Sequence, residues 1–181
     1  MDTLKFAIAF IACAFLLSGC ATPPLKGAAF HLIENIPENK SVVYVYWTDD
    51  AAQIKGIDFS ISANGEPITD MRHGGYYPII AEPGKLELSS HVNFKFMAVG
   101  ALDVAMAPTK ILVINVDKGK EYYVRCVSYG GGNAFNYALD MRVNDKNWGR
   151  YELQGAKLLP RKISSTQKTS DNNKERLIYS C

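Results

Sequence analysis

The sequence predicts an all-β domain, an antiparallel β-sandwich of about eight strands. Three observations carry that expectation. From residue 42 onward, apolar residues recur with period two, as in strands with one face in a core and the other in water. Turn signals separate these runs at short intervals: Asn64-Gly65, His73-Gly74-Gly75, Glu82-Pro83-Gly84 and Lys118-Gly119-Lys120. Convincing helical periodicity is scarce, and short strands between regular turns are the pattern of a sandwich. An Ig-like or transthyretin-like arrangement fits this count of strands, with a small β-barrel as the alternative.

The elements follow in order. Val42 to Thr48 is dense in β-branched and aromatic residues and apolar on both faces, as expected of a strand deep in a sheet. Ile57, Phe59 and Ile61 alternate with polar residues and predict a half-buried strand. Asn64-Gly65 predicts a type I′ hairpin, because both central residues need positive φ. Glu66 to Met71 forms the returning strand. Tyr76 to Ala81 is the next, with Pro78 where no ladder bond is needed, since proline lacks an N–H. Leu86, Leu88, Ser90 and Val92 line one face of another strand, and Ile111 to Val116 is a further one. Tyr122, Val124 and Cys126 share one face of the strand after Lys118-Gly119-Lys120, with Tyr123, Arg125 and Val127 on the other. Gly130-Gly131-Gly132-Asn133 reads as a hairpin tip. Phe135, Tyr137, Leu139, Met141 and Val143 then alternate with polar or small residues. Residues 93–109 break the rhythm, and Tyr151 to Leu159 fits a short helix or a strand equally well.

The chain begins differently. Lys5 is followed by an uncharged apolar run from Phe6 to Leu17. That run is shorter than the ~20 residues a helix needs to cross a bilayer core of ~30 Å, and it fits the apolar region of an export signal. Leu17-Ser18-Gly19-Cys20 follows, with Ala21 next. Small residues before a cysteine resemble the lipobox of bacterial lipoproteins. That resemblance implies cleavage before Cys20, attachment of diacylglycerol to its thiol, and acylation of the new N-terminus with palmitate-type chains. One acyl chain holds a protein marginally, at ~0.8 kcal/mol per buried methylene, whereas several hold it stably. In lipoproteins of enteric-type bacteria, Asp after the cysteine favours the inner membrane. Ala21 therefore implies the outer membrane, facing the periplasm or the surface. The expected organisation is a signal peptide over 1–19, a lipidated cysteine and tether over 20–40, the sandwich domain over 41–160, and a polar tail over 161–181.

Removing residues 1–19 takes away Asp2 and Lys5, so the formal net charge stays at +2. Such near-neutrality argues against nucleic acid, which demands a concentrated basic face. Cys13 leaves with the signal and Cys20 is taken by lipid. Cys126 and Cys181 remain, and an oxidising compartment permits a disulfide between them. A buried Cys126 and a terminal thiol on Cys181 form the contrasting expectation.

The order of motifs resembles a family of small bacterial lipoproteins with an uncharacterised β-sandwich domain. The matching motifs are Val42-Val43-Tyr44-Val45-Tyr46, Gly74-Gly75-Tyr76-Tyr77, Pro83-Gly84 and Gly119-Lys120-Glu121-Tyr122-Tyr123. The resemblance covers roughly residues 40–160 and implies a fold. It implies neither an activity nor catalytic residues.

Chemistry-bearing residues are sparse. His31, His73 and His91 lack metal-ligand spacing, so neither a metal nor any other cofactor is expected. Asp70 and His73 would need a serine from elsewhere to build a triad, and no nucleophile elbow is present. The glycine run at 130–132 lacks the Lys and Ser/Thr of a phosphate loop. Asp70, Arg72, His73, Tyr76 and Tyr77 form the richest polar loop and the candidate binding loop. Tyr76, Tyr77, Tyr129, Phe135, Tyr137, Trp148 and Tyr151 would stack on sugar rings if they shared an exposed face; in strands such aromatics are more often core. The tail carries Arg161, Lys162, Lys168, Lys174 and Arg176 against Asp171 and Glu175, and reads as a solvated segment. The expected function is that of a membrane-anchored, non-enzymatic envelope module that binds an envelope protein. A periplasmic glycan- or small-ligand-binding module is the alternative.

Overall fold

The structure, a computed structural model, describes residues 24–48, 57–93, 109–130 and 138–162. Nine strands and one helix occupy them: β1 (Ser41–Trp47), β2 (Asp58–Ala63), β3 (Glu66–Met71), β4 (Gly75–Ala81), β5 (Gly84–Asn93), β6 (Lys110–Val116), β7 (Glu121–Tyr129), β8 (Ala138–Asn144), α1 (Lys146–Glu152) and β9 (Lys157–Leu158). One sheet has the order β8-β7-β1-β4-β9 and the other β3-β2-β5-β6. Two separate sheets facing one core make a sandwich and not a closed barrel. The first sheet is mixed: β1 runs antiparallel to β4 but parallel to β7, and β9 runs parallel to β4.

The core between the sheets follows the alternation read from the sequence. Val43, Val45 and Trp47 of β1 meet Phe59, Ile61, Leu86, Leu88, Ile114 and Val116 of the facing sheet, and Val124, Cys126, Leu139 and Met141 join them. Each such side chain contributes roughly 1.5–3 kcal/mol by leaving water. Val143 departs from the expected row and is 51% exposed. It lies near the end of β8, a marginal strand, so the inward row stops at Met141.

A second apolar layer covers the outer face of the first sheet. Val42, Tyr44, Tyr46, Tyr76, Tyr123, Leu153 and Ala156 form it, with Phe30, Leu32, Ile33 and Ile36 packed against them. Two covered faces explain why β1 is apolar throughout. This layer also corrects the expectation of a tether reaching to residue 40. Ala29 bridges Lys157, Phe30 N–H donates to the Ala156 carbonyl at 2.9 Å, and Leu158 N–H donates to the Ala28 carbonyl at 2.8 Å. Phe30 sets its ring edge-on against Tyr44 and Tyr76, at 5.5 and 5.2 Å between centroids. The segment is held because it supplies both backbone pairing and an aromatic plug.

Local chemistry explains the turns. Asn64 and Gly65 have φ of 49° and 83°, the left-handed pair that the hairpin requires. Tyr76 turns its polar backbone atoms toward β9, where its carbonyl accepts from Leu159 N–H at 2.9 Å. Pro78 faces the same side two residues later, past the end of β9, and leaves no ladder bond unmade.

Register defines two ends. Trp47, Gly75, Asp58, Asn93 and Tyr129 lie at one end, and Ser41, Ala81, Gly84, Val116 and Glu121 at the other. Tight turns close the second end. At the first, the chain passes into residues 49–56, 94–108 and 131–137, outside the described residues. The expectations placed on residues 1–23, on the glycine run past Gly130, on Phe135 and Tyr137, and on the tail beyond residue 162 also fall outside them. Among the described residues no helix is long and apolar enough to cross a membrane.

Candidate functional site

The helix α1 was half legible. The sequence leaves Tyr151 to Leu159 open between helix and strand, but the helix starts at Lys146 and includes Trp148 and Gly149. Asp145 starts it, its carboxylate accepting from Asn147 N–H at 2.9 Å and Trp148 N–H at 3.2 Å. Gly149 turns to the sheet, where a Cβ would fall 2.5 Å from the Tyr123 ring. Only glycine lets the helix approach so closely. Leu153, four residues on, is buried on the same side. Trp148 and Tyr151, three residues apart, therefore project outward together, 54% and 63% exposed, with ring centroids 5.5 Å apart.

Beside this pair lies a cleft of about 500 Å³ whose lining includes Thr48, Gly74, Arg125, Glu152 and Gly155. Its charged floor is tied together. Arg125 Nε lies 3.1 Å from Glu152 Oε1, and both side chains are largely buried. Glu152 Oε2 accepts from Tyr46 Oη at 2.8 Å and from Asn144 Nδ2 at 3.0 Å. Burial pushes the Tyr46 hydroxyl far above the ordinary tyrosine range, and its bond to Glu152 adds to the rise despite the Asn144 contact. Tyr46 therefore stays protonated at neutral pH. The arrangement offers a rigid aromatic ledge over a neutralised, hydrogen-bonded floor. Arg125 and Glu152 were missed as partners because parallel pairing of β1 with β7, and the placement of α1, bring them together from distant parts of the chain.

The candidate binding loop does not converge on one point. Asp70 accepts from Lys162 Nζ at 2.7 Å, and Lys162 also donates to Ser60 Oγ at 2.8 Å. Arg72 Nε donates to Asp58 Oδ1 at 3.0 Å. Asp70 and Arg72 line a second cleft, of about 780 Å³, together with Pro24, Leu25 and Pro160. His73 sets its ring edge-on against the buried Trp47, 5.6 Å between centroids. Gly74, at φ of 77°, donates its N–H to the Trp47 carbonyl at 2.8 Å. Tyr76 is buried in the outer layer, and Tyr77, its neighbour along the strand, takes the opposite face opposite Val45. Much of this loop thus forms the corner by which β3 passes into β4.

Of the other candidates, Cys126 is a free thiol buried in the core, and burial raises its pKa well above the ordinary range. Cys20 and Cys181 lie outside the described residues. Tyr129 is exposed, with Lys110 Nζ 5.6 Å from its ring centroid. Among the described residues no three metal-ligating side chains gather. Ile111 and Val113 of β6 stand 62% and 46% exposed on the outward face of the second sheet, while Ile114 and Val116 of the same strand enter the core. No family model matches the chain, and no curated protein or solved structure matches it either, so its reading rests on these residues.

Proposed function

We propose that this chain is a bacterial envelope lipoprotein, anchored through lipid on Cys20 and working without catalysis as a binding module for another envelope protein. The outer membrane is the proposed site of anchoring, from Ala21. The observation that carries the binding role is the outward face of β6, where Ile111 and Val113 hold β-branched side chains in water on a marginal strand. Both stay substantially in water, and exposed apolar side chains gathered into a patch are a feature of interaction surfaces.

Photo-crosslinking in living cells tests the reading. A photoreactive residue at 111 or 113 is expected to capture one dominant envelope protein. The adduct should be lost in Cys20→Ala and should not form from the exposed position Glu38. Absence of an adduct from both β6 positions would reject the protein-partner role. A glycan or small apolar ligand is the second reading, favoured by the exposed Trp148–Tyr151 ledge beside its cleft. It predicts saturable binding of soluble cell-wall fragments that Trp148→Ser abolishes.

A further inference from the structure

Leu25 packs at the β3–β4 corner, its Cδ1 3.8 Å from where a Cβ on Gly74 would stand. Cys20 lies five residues earlier. Five residues at 3.3–3.6 Å each span at most ~18 Å. Lipid on Cys20 therefore holds this corner within ~18 Å of the membrane surface. Gly74 is also part of the lining of the cleft beside Trp148 and Tyr151. The most exposed aromatic pair of the described surface thus sits beside the exit of the anchor.

Tryptophan and tyrosine are the side chains that partition to the water–lipid boundary, because each has an apolar body and a polar tip. We propose that Trp148 and Tyr151 are interfacial anchors, docking the α1 side of the domain onto the lipid headgroup layer once Cys20 is acylated. The inference rests on the lipoprotein reading above. A single bond through a tether leaves a domain free to tumble, whereas a second contact fixes its orientation. Local concentration near the surface makes even a weak contact effective. The orientation also has a consequence for the partner. α1 covers the outer face of the first sheet, and Ile111 and Val113 lie on the outer face of the second. Docking through α1 turns β6 away from the membrane, toward a protein approaching from the aqueous side. A free sugar would use the same ledge, but the short tether favours the bilayer, which is held beside it permanently.

The test uses the mature chain as the cell processes it, in vesicles of phosphatidylethanolamine and phosphatidylglycerol. Co-flotation with vesicles reads the anchor. Quenching by lipids brominated near the headgroup reads the aromatic pair, and the difference between wild type and Trp148→Phe isolates Trp148 from Trp47. Trp47, 0% exposed, is the internal reference. The expected result is a blue-shifted Trp148 emission, quenched by bromolipid several-fold more than Trp47 and shielded from aqueous iodide. Flotation with Trp148 still open to iodide and untouched by bromolipid would overturn the proposal while leaving the anchor intact. The same holds if soluble cell-wall fragments shield Trp148 and lipid does not. Failure to float would reject the lipoprotein reading itself. The pair is then judged on a Cys181→Ser chain carrying a synthetic lipid coupled through maleimide to Cys20, with buried Cys126 out of reach. Quenching in that chain supports the aromatic contact, and its absence rejects it.

Discussion

The first sheet has two covered faces, and they are built on different principles. The inner face is aliphatic and faces another sheet, with Val43 and Val45 against residues such as Leu86 and Ile114. Regular strands satisfy their own backbones, so this interface needs few side-chain hydrogen bonds. The outer face carries tyrosines instead, and irregular chain covers it. Here the hydroxyls work. Tyr44 Oη accepts from Ile33 N–H at 2.8 Å, Tyr46 donates to Glu152, and Tyr123 donates to Glu121 at 2.9 Å while accepting from Arg150 Nε at 3.0 Å. Tyr76 meets the backbone at His31. A tyrosine buries a large apolar ring and still meets the polar groups of a loop or short helix. The inner face holds the fold, and the outer face fixes the N-terminal segment and α1, the two pieces on which the proposed membrane orientation depends.

The largest expected effect separates the two layers. Phe59→Ala empties a site fully inside the inner core and removes an edge contact with Trp47, 5.5 Å between centroids. A loss of ~3–5 kcal/mol in urea unfolding is expected. An equal loss from Phe30→Ala, which is only partly buried, would erase the distinction between the layers. Gly27→Ala comes next. A Cβ there meets the Leu158 carbonyl, a backbone atom that has little room to yield. The variant should lose ~1–3 kcal/mol, in the range of overpacking. Hydrogen exchange should quicken at Phe30 and Leu158 while amides of β1 and β2 stay protected. Uniform loss of protection would show that the two layers unfold as one.

A smaller effect concerns Glu121 at the rim of the outer layer. Burial alone would raise its pKa, but bonds from Arg150 and Tyr123 outweigh it and hold the carboxyl below the usual range. A carboxyl depressed in the folded state stabilises the protein above its unfolded value of about 4.3, and that stability is lost as pH falls through the folded value. Glu121→Gln should therefore cost ~1–2 kcal/mol at pH 7. The gap to wild type should shrink as pH is lowered toward ~3, below the ordinary glutamate value. A gap independent of pH would mean that charge plays no part. The smallest effect is expected from Ile111→Ser, within ~0.5 kcal/mol of wild type because the side chain already stands in water. Its consequence should be confined to capture of the proposed partner.

The same comparison explains what was legible in the sequence. The inner layer could be read because period-two alternation is local: Phe59 and Ile61, Leu86 and Leu88, and Val124 and Cys126 each announce a face within a few residues. Asn64-Gly65 announced its hairpin for the same reason. The outer layer could not be read in this way. Val42, Tyr44 and Tyr46 showed that both faces of β1 are covered, but not by what. The cover comes from Phe30, whose segment looked like a tether, and from α1, most of which precedes the Tyr151 to Leu159 stretch that fitted a helix or a strand. Both find their places through contacts with residues far along the chain. The candidate site shared that fate. Trp148 and Tyr151 stood out as aromatics, yet only the start of the helix at Lys146 puts them side by side. Arg125 and Glu152 meet through a parallel pairing that no local pattern encodes.

The proposed anchor, the proposed orientation of α1 and the proposed presentation of β6 to a partner all follow from Cys20. The most direct measurement is the intact mass of the mature protein extracted from membranes, with fragmentation of its N-terminal peptide. The expected species is a chain beginning at Cys20, carrying a diacylglyceryl group on the thiol and an acyl group on the amine, with no such species from Cys20→Ala. A chain beginning elsewhere, or one with a free thiol at Cys20, would contradict the lipoprotein reading.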